Sequence, residues 1–227
     1  MSGNTRGDAF GYNQAAVEEI GAGINRIAAT AGESIVNAIK VNVVDRVAEE
    51  WVSEVAVKYF EDFKGELKSK ELNVTDVFQK FSDKIQKAGE DWATETGGVA
   101  PVMPAVETVT LDLDVSPIRS EENGDRYIYE GLGDSVKGYV EQARVEIEQT
   151  LAQLQSEANA ESAFFGGGQA PAIQEAAAEL GTEVNQILDS LISGEGSLVT
   201  AIVNYRNEYS STATGIASSF ADSGFTE

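Results

Sequence analysis

Residues 49–60 read EEWVSEVAVKYF and interrupt an otherwise continuous helical pattern. Before this stretch, apolar residues recur every three or four positions, which predicts one helix over about residues 14–50. Ser53 is a good helix N-cap, because its hydroxyl can accept a hydrogen bond from the first free amides of a following helix. The apolar positions of that second helix are Ala56, Phe60, Phe63 and Leu67. The stretch therefore predicts a helical hairpin that breaks at Trp51-Val52-Ser53.

The helical pattern continues beyond this hairpin break and reappears in the second half of the chain. The apolar periodicity is interrupted after Ser69, where Asn73 or Thr75 could cap a new helix, and this helix is predicted to end at Gly97-Gly98. In the second half, a helix is predicted over about residues 132–161. The glycine-rich sequence 164–168, FFGGG, predicts a turn, and two further helical stretches follow it.

The two halves share one plan, which is a long helix, a short turn with a large aromatic residue, and a second long helix interrupted midway. A shift of 124 residues superimposes the apolar positions of the second helices, so the pattern indicates an internal duplication. The matched positions are Leu67 with Leu191, Val74 with Leu198, Phe78 with Ile202, and Phe81 with Tyr205. We predict an all-α fold of two long helical hairpins, residues 1–96 and 132–227, that form a four-helix bundle with a small β-like insert between them.

Residues 97–131 form the predicted linker, and their pattern differs from that of the hairpins. Over residues 108–115, apolar and polar side chains alternate with a period of two, which is typical of a β-strand. Asn123-Gly124 is a turn dipeptide, and Tyr127-Ile128-Tyr129 could form the return strand. The linker therefore predicts a small β-ribbon, with an ordered but irregular crossover as the alternative.

The composition excludes several kinds of functional site. The 227 residues include no cysteine and no histidine, which removes disulfides, thiol nucleophiles, Ser-His triads and imidazole-bound metals. The net charge of −22 disfavours binding to nucleic acid or to anionic membrane surfaces. No apolar run approaches the roughly eighteen residues of a membrane helix, and the polar N-terminus does not resemble a signal peptide. We expect no cofactor, no nucleic-acid partner and no membrane insertion.

Three short stretches are similar to functional motifs, but each has a simpler structural interpretation. Residues 112–116, DLDVS, are similar to the start of a calcium loop, but Pro117 replaces its glycine and Asn123 its final glutamate. The glycines at 166–168 follow a helix rather than a strand, which favours a helical corner over a phosphate-binding loop. Paired carboxylates such as Glu49-Glu50 are expected to be solvated. We therefore predict no metal site and no catalytic residue, and the chain is expected not to be an enzyme.

The segment Glu49–Phe60 resembles the turn region of the WXG family, the small helical-hairpin substrates of type VII secretion. That family places Trp-x-Gly, or Trp-x-Ser in its variants, between two long helices, and Trp51 and Ser53 match these two positions. An alanine and an aromatic residue follow in the family at spacings that Ala56 and Phe60 match. In the second half, the corresponding turn residues are Phe164, Phe165, Gly166 and Gly167, with phenylalanine in place of tryptophan.

The resemblance implies a non-enzymatic secreted protein that acts as an adaptor, carrier or partner in a type VII-like secretion system. Family hairpins pair into four-helix bundles, and two hairpins in one chain could bury each other's exposed apolar faces in the same way. The chain would be secreted without a cleaved signal peptide, or be cytoplasmic before export. Family partners commonly carry a Tyr-x-x-x-Asp/Glu export signal, whereas none of the 7 tyrosines here has an acid four residues on. A partner would then have to supply that signal.

Two other classes of function fit the same pattern. The chain could be a structural subunit of a virion, phage tail or filament, located in a virion or extracellular assembly, that associates through its helices and β-ribbon. It could also be an acidic immunity or chaperone-like protein that masks a basic partner. In every case the expected partner is a protein, either another helical protein or secreted effector, or further copies of this chain.

Overall fold

The computed structural model describes residues 11–157, 164–165 and 170–222, and in this range the fold is all-α, as predicted. The helices are α1 (Gln14–Ile39), α2 (Asp45–Glu50), α3 (Glu54–Ser69), α4 (Glu71–Thr96), α5 (Leu132–Glu157), α6 (Ala170–Ile192) and α7 (Leu198–Asp222). A π-helical turn, Lys40–Val44, joins α1 to α2. The described strands are β1 (Gly11–Tyr12), β2 (Trp51–Val52), β3 (Tyr127–Ile128) and β4 (Phe164–Phe165).

The helix predicted over residues 14–50 is formed by α1, the π-turn and α2 in direct succession. Its apolar stripe is fully buried at Ile35, Ile39, Val43, Val47 and Trp51. Four residues advance an α-helix by about 400°, so a stripe with steps of four drifts by about 40° per step. The π-turn contains more residues per revolution and offsets part of this drift. Within it, the buried Asn42 side-chain amide donates to the Ala38 carbonyl at 3.0 Å.

The break between α3 and α4 falls at Lys70. The predicted capping by Asn73 or Thr75 is wrong, because both residues lie inside α4 and Lys70 precedes the helix without a side-chain capping bond. The Thr75 hydroxyl instead accepts a hydrogen bond from the Val109 amide of the linker at 2.9 Å. Helix α4 ends at Thr96, and the predicted stop, Gly97, is its C-cap, with a φ of 67° in the left-handed region that favours glycine.

The linker keeps the predicted alternation but forms no strand over residues 108–115. Its buried positions are Val109, Leu111, Leu113 and Val115, and the four residues at 108, 110, 112 and 114 are exposed. Its amides donate to helical side chains, Val106 to Gln79, Glu107 to Asn25, Val109 to Thr75 and Leu111 to Glu71. These side chains supply the acceptors that a neighbouring strand would otherwise provide. The β-ribbon prediction is therefore wrong over 108–115, and the irregular crossover is what forms.

Three glycines of the described helices, Gly21, Gly32 and Gly89, allow the linker to approach the helices closely. A Cβ atom at Gly89 of α4 would lie 2.3 Å from Pro101 Cγ, and one at Gly32 of α1 would lie 2.6 Å from Val109 Cγ1. Carbon atoms in contact prefer separations of about 3.5–4.0 Å. Any larger residue in place of Gly32 or Gly89 would therefore push the linker away from the helix surface.

The chain forms two compact units, and each collects segments from both halves of the sequence. Unit 1 comprises the described parts of Met1–Asn37, Glu66–Asp112 and Val145–Asn185. Unit 2 comprises Ala38–Gly65, Leu113–Arg144 and the described part of Gln186–Glu227. The units do not coincide with the segments 1–96, 97–131 and 132–227, and the four-helix bundle arrangement stays a prediction.

Each unit has its own apolar core, to which the linker contributes. The largest fully buried side chains of unit 1 are Ile24, Ile35, Leu67, Leu111 and Ile147. Those of unit 2 are Ile39, Trp51, Phe60, Leu113, Leu132, Leu188 and Leu191. Because Leu111 and Leu113 are linker residues, the linker is an integral part of both cores.

Each unit also contains one antiparallel pair of two-residue strands. In unit 1, β1 precedes the first long helix and pairs with β4 in the turn of the second half. In unit 2, β3 precedes α5 and pairs with β2 in the turn of the first half, with Trp51 opposite Ile128 and Val52 opposite Tyr127. The leading strand of each half thus pairs with the turn strand of the other half. This reciprocity is consistent with an internal duplication.

Candidate functional site

The candidate site is the turn between α2 and α3, residues 50–53, which we call the Trp51 turn. Helix α2 ends because Trp51 adopts an extended conformation, with φ −139° and ψ 110°, although its amide still donates to the Val47 carbonyl. Trp51 and Val52 continue as β2, and α3 begins at Glu54. The extended dipeptide interrupts the helical path, so α2 and α3 are separate helices, as the sequence predicted.

Trp51 is completely buried in unit 2. Its ring lies 5.6 Å from the ring of Tyr205 in α7, centroid to centroid, with 44° between the planes. The indole Nε1 is buried and has no hydrogen-bond partner among the described residues. An unpaired buried donor costs about 1–3 kcal/mol. Apolar packing and the ring contact therefore hold Trp51 in place.

Ser53 connects the turn to the start of α3, and it is 1% exposed. Its hydroxyl accepts a hydrogen bond from the Ala56 amide at 3.0 Å, which confirms the predicted N-cap. Its own amide donates to the Arg119 carbonyl at 3.0 Å, and its carbonyl accepts from the Val57 amide at 3.2 Å. Ala56 and Phe60 are fully buried on the first turns of α3. A small residue that can cap is thus required at position 53.

The second segment of unit 2 completes the hydrogen bonding of the turn. The Glu50 carbonyl accepts a hydrogen bond from the Tyr129 amide at 3.0 Å, which extends the β2–β3 pairing by one residue. The Arg119 guanidinium donates to the Ala48 carbonyl at 3.4 Å. The last carbonyls of a helix have no partner within the helix, so these two bonds stabilise the end of α2.

Two acidic side chains beside the turn accept hydrogen bonds from tyrosines. The Tyr139 hydroxyl donates to Glu50, and this bond, together with burial, raises the pKa of Tyr139. The Tyr127 hydroxyl donates to Glu122 at 2.8 Å, and a further bond from Arg119 at 2.7 Å also reaches Glu122. These bonds lower the pKa of the Glu122 carboxyl. Both carboxylates therefore hold the chain around the turn.

The second predicted turn is described only in part. Phe164 and Phe165 form β4, whose partner is β1, so they occupy in the second half the place that β2 has in the first. Gly166 and Gly167 lie outside the described residues. The structure thus brings together Trp51, Ser53, Ala56 and Phe60 in unit 2, while Phe164 and Phe165 belong to unit 1.

Residues 112–116, which are similar to the start of a calcium loop, form a local turn in the linker. The Ser116 amide donates to Asp114 Oδ1 at 2.9 Å, which is an Asx turn. The hydrogen bonds from Ser116 lower the pKa of the Asp114 carboxyl. Within residues 11–157, 164–165 and 170–222, no group of three or more acidic side chains could hold a metal ion. Among the described helices, none has the length and apolar character that a membrane span requires.

Tyr205 and Arg119 complete the Trp51 turn, and the sequence did not predict either as part of it. Tyr205 belongs to the apolar stripe of α7, and that pattern indicates burial without naming the contacting residue. Arg119 lies in the irregular linker, where no repeat or spacing distinguishes it.

Comparisons with protein-family models, with curated proteins and with solved structures find no match to this chain.

Proposed function

We propose that this chain is a non-enzymatic helical-hairpin protein that acts as an adaptor, carrier or partner in a type VII-like secretion system. The observation that carries the proposal is the Trp51 turn. A fully buried tryptophan ends one helix, and a buried serine two residues later caps the next one. This is the arrangement that the resemblance to the WXG family implies.

The reciprocal strand pairing supports a fused pair of hairpins. The turn strand of the first half, β2, pairs with β3, and the turn strand of the second half, β4, pairs with β1. Each half therefore contributes to the turn of the other half. Two hairpins that complete each other in this way would resemble a family dimer joined into one chain.

The non-enzymatic part of the proposal is supported by how the acidic side chains are used. Glu50 and Glu122 accept hydrogen bonds from tyrosines beside the Trp51 turn, and Asp114 holds a tight turn in the linker. Each of these carboxylates stabilises chain conformation. We expect the protein to function through its surface, by binding another protein.

Export would occur without a cleaved signal peptide, and the protein would be cytoplasmic before it. Because no tyrosine is followed by an acid at the fourth position, the Tyr-x-x-x-Asp/Glu signal would come from a partner that is exported together with this chain. The chain would then serve as the passenger or carrier half of a complex.

Sedimentation velocity separates this proposal from the alternative of a structural subunit. An adaptor gives a discrete monomer or small oligomer over a hundredfold range of protein concentration, at low and at physiological salt. A virion, tail or filament subunit gives species that grow with concentration. Growth into high-order assemblies would overturn the proposed function. The β-ribbon expected to augment neighbouring subunits is not available as such, because Tyr127–Ile128 already pairs with Trp51–Val52.

A further inference from the structure

One exposed apolar groove in unit 2 begins beside the Trp51 turn. It has a volume of about 420 Å³ and lies between Val55 of α3 and the face of α7 that carries Tyr205, Tyr209 and Ile216. Val55 is 44% exposed, Tyr209 47% and Ile216 53%. We call this surface the α7 groove. Exposed apolar side chains that are contiguous, rather than scattered, are typical of interaction surfaces.

An aromatic series connects the groove to the buried core. Trp51 contacts Tyr205, and the ring of Tyr205 lies 5.7 Å from that of Tyr209. The Tyr209 hydroxyl donates to the Arg126 carbonyl at 3.0 Å, which fixes this ring while leaving half of it exposed. The groove therefore has a preorganised aromatic base, which reduces the entropy lost when a partner binds.

A groove of unit 1 provides an internal comparison. It lies between residues 73, 76, 77 and 80 of α4 and residues 179, 182 and 183 of α6. The unit 1 groove is polar and is bridged by its own side chains. Lys80 lies 3.4 Å from Glu179, and Asn73 donates to Glu183 at 3.5 Å. The α7 groove differs from it, because Tyr205, Tyr209 and Ile216 give it a mainly apolar lining.

Within the part of the chain that the structure describes, the outer part of α7 is held mainly by hydrogen bonds from Arg206 and Tyr209 to the carbonyls of Glu130 and Arg126 rather than by burial. Every residue from 206 to 218 is exposed. This stretch contains several weak helix formers, Ser210, Ser211, Thr212, Thr214 and Gly215. Isolated helices of about this length are marginal in water. A partner that packs along the stretch would supply the missing tertiary contacts.

Charge identifies the kind of partner. The chain has a net charge of −22, so a second copy is repelled, whereas a cationic partner is attracted. Glu208 lines the groove, and its carboxylate forms no ion pair with the described residues. The neighbouring Glu54 is 79% exposed, and Arg126 lies 3.7 Å from it. A free carboxylate beside apolar rings fits a helix with an apolar face and flanking Lys or Arg residues.

We propose that the α7 groove binds a cationic amphipathic helix of a protein partner, which pairs with α7 along the stripe of Tyr205, Tyr209 and Ile216. Such pairing follows the helix-in-groove mode, and the stripe spans about 16 Å, or three helical turns. The inference rests on the proposed adaptor function and names the surface that would perform it.

The test uses the full chain and two synthetic probe peptides of 21 residues. One peptide has leucine at the a and d heptad positions and lysine elsewhere, and the other has the same composition in an order that spreads leucine around the helix. Fluorescence anisotropy measures both dissociation constants in about 0.15 M and 0.5 M salt, since bulk attraction to a −22 chain is screened at the higher concentration. The ordered peptide is expected to bind at least tenfold more tightly in both.

Variants locate the binding surface. Ile216→Ser alone, and Tyr209→Ser with Ile216→Ser, should weaken binding of the ordered peptide at least fivefold and tenfold respectively. The matched control is Val99→Ser with Val102→Ser, which removes two linker side chains that are 68% and 76% exposed, and it should leave binding within twofold. Hydrogen exchange of amides 206–218 should slow when the ordered peptide binds. Circular dichroism verifies that each variant keeps its helix content.

Three results would overturn the inference. Equal binding of the two peptides would mean that bulk charge alone attracts them. Equal losses of affinity for the ordered peptide in the groove variants and in the control variant would mean that the peptide binds elsewhere on the chain. A dimer of the wild-type chain that Ile216→Ser abolishes would make a second copy the occupant. If any of these is found while the chain still sediments as a discrete species, the groove inference fails and the proposed function stands.

Discussion

Replacing Trp51 by alanine should destabilise unit 2 strongly, and the structure allows the size of the effect to be worked out. The side chain is completely buried, and a tryptophan buries about 200 Å². At about 25 cal/mol per Å², its removal costs about 5 kcal/mol. The variant also removes the indole N–H, whose unpaired burial costs about 1–3 kcal/mol, so part of the loss is recovered. We expect a net destabilisation of about 3 kcal/mol, within the range seen for buried aromatic residues.

Trp51→Phe separates packing from the unpaired donor. Phenylalanine keeps most of the buried ring and has no N–H group. The smaller apolar area and the removal of the unpaired donor then nearly cancel, and the free energy of unfolding should change by less than about 1 kcal/mol. A loss as large as that of Trp51→Ala would mean that the indole N–H makes an important hydrogen bond.

Urea unfolding measures these effects. Helix content is followed by circular dichroism, and in both variants the fluorescence of the remaining tryptophan, Trp92, reports on unit 1. With a slope of about 3 kcal/mol per M, Trp51→Ala should lower the midpoint by about 1 M. A midpoint within about 0.2 M of the wild type, at unchanged slope, would refute the central structural role of Trp51.

Two further predictions concern the linker and the charge. Gly89→Ala should destabilise the fold by about 1–3 kcal/mol, because the added Cβ would collide with Pro101. The control Gly181→Ala, whose Cβ would meet nothing within 4 Å, should stabilise the fold by about 0.5–1 kcal/mol. Equal effects of the two variants on thermal unfolding would contradict the close contact between α4 and the linker. The melting temperature should rise between low salt and about 0.5 M salt, and also on mild acidification, because 38 acidic against 16 basic residues repel one another at neutral pH. Below about pH 4 the melting temperature should fall, because Asp114 and Glu122 have lowered pKa values in the folded chain and lose their stabilising contribution as they are protonated. For the salt prediction, a melting temperature that falls on adding salt would mean that specific ion pairs outweigh the general repulsion.

The sequence predicted those features that depend on local chemistry and on periodicity. The helical stripe that ends at Trp51, the N-cap at Ser53 and the stop at Gly97 are all observed. The helical periodicity of apolar residues predicts which side chains are buried, and a helix cap depends only on residues within one helical turn of it. Such features need no knowledge of the rest of the chain.

The features that the sequence did not predict depend on partners distant in the chain. Alternation over residues 108–115 indicated correctly which side chains are buried, but the acceptors for the linker amides are side chains such as Asn25 and Thr75. A strand of two residues such as β2 is too short to give a period; a strand at Tyr127–Ile128 was expected and forms, but its pairing with β2 was not predicted. The contact of Trp51 with Tyr205 joins positions 154 residues apart, and no local signal relates them.

Export through a type VII secretion system distinguishes the proposed function from the alternatives. The tagged full chain is expressed in bacteria that carry a type VII secretion system, and in the same strain without its secretion ATPase, with a cytosolic protein as the lysis control. We expect the intact chain in the culture filtrate only when the ATPase is present, and we expect Trp51→Ala to abolish this export at an equal intracellular level. Retention of the chain in both strains when its genomic neighbours are co-expressed, or equal release from both, would contradict the proposed function.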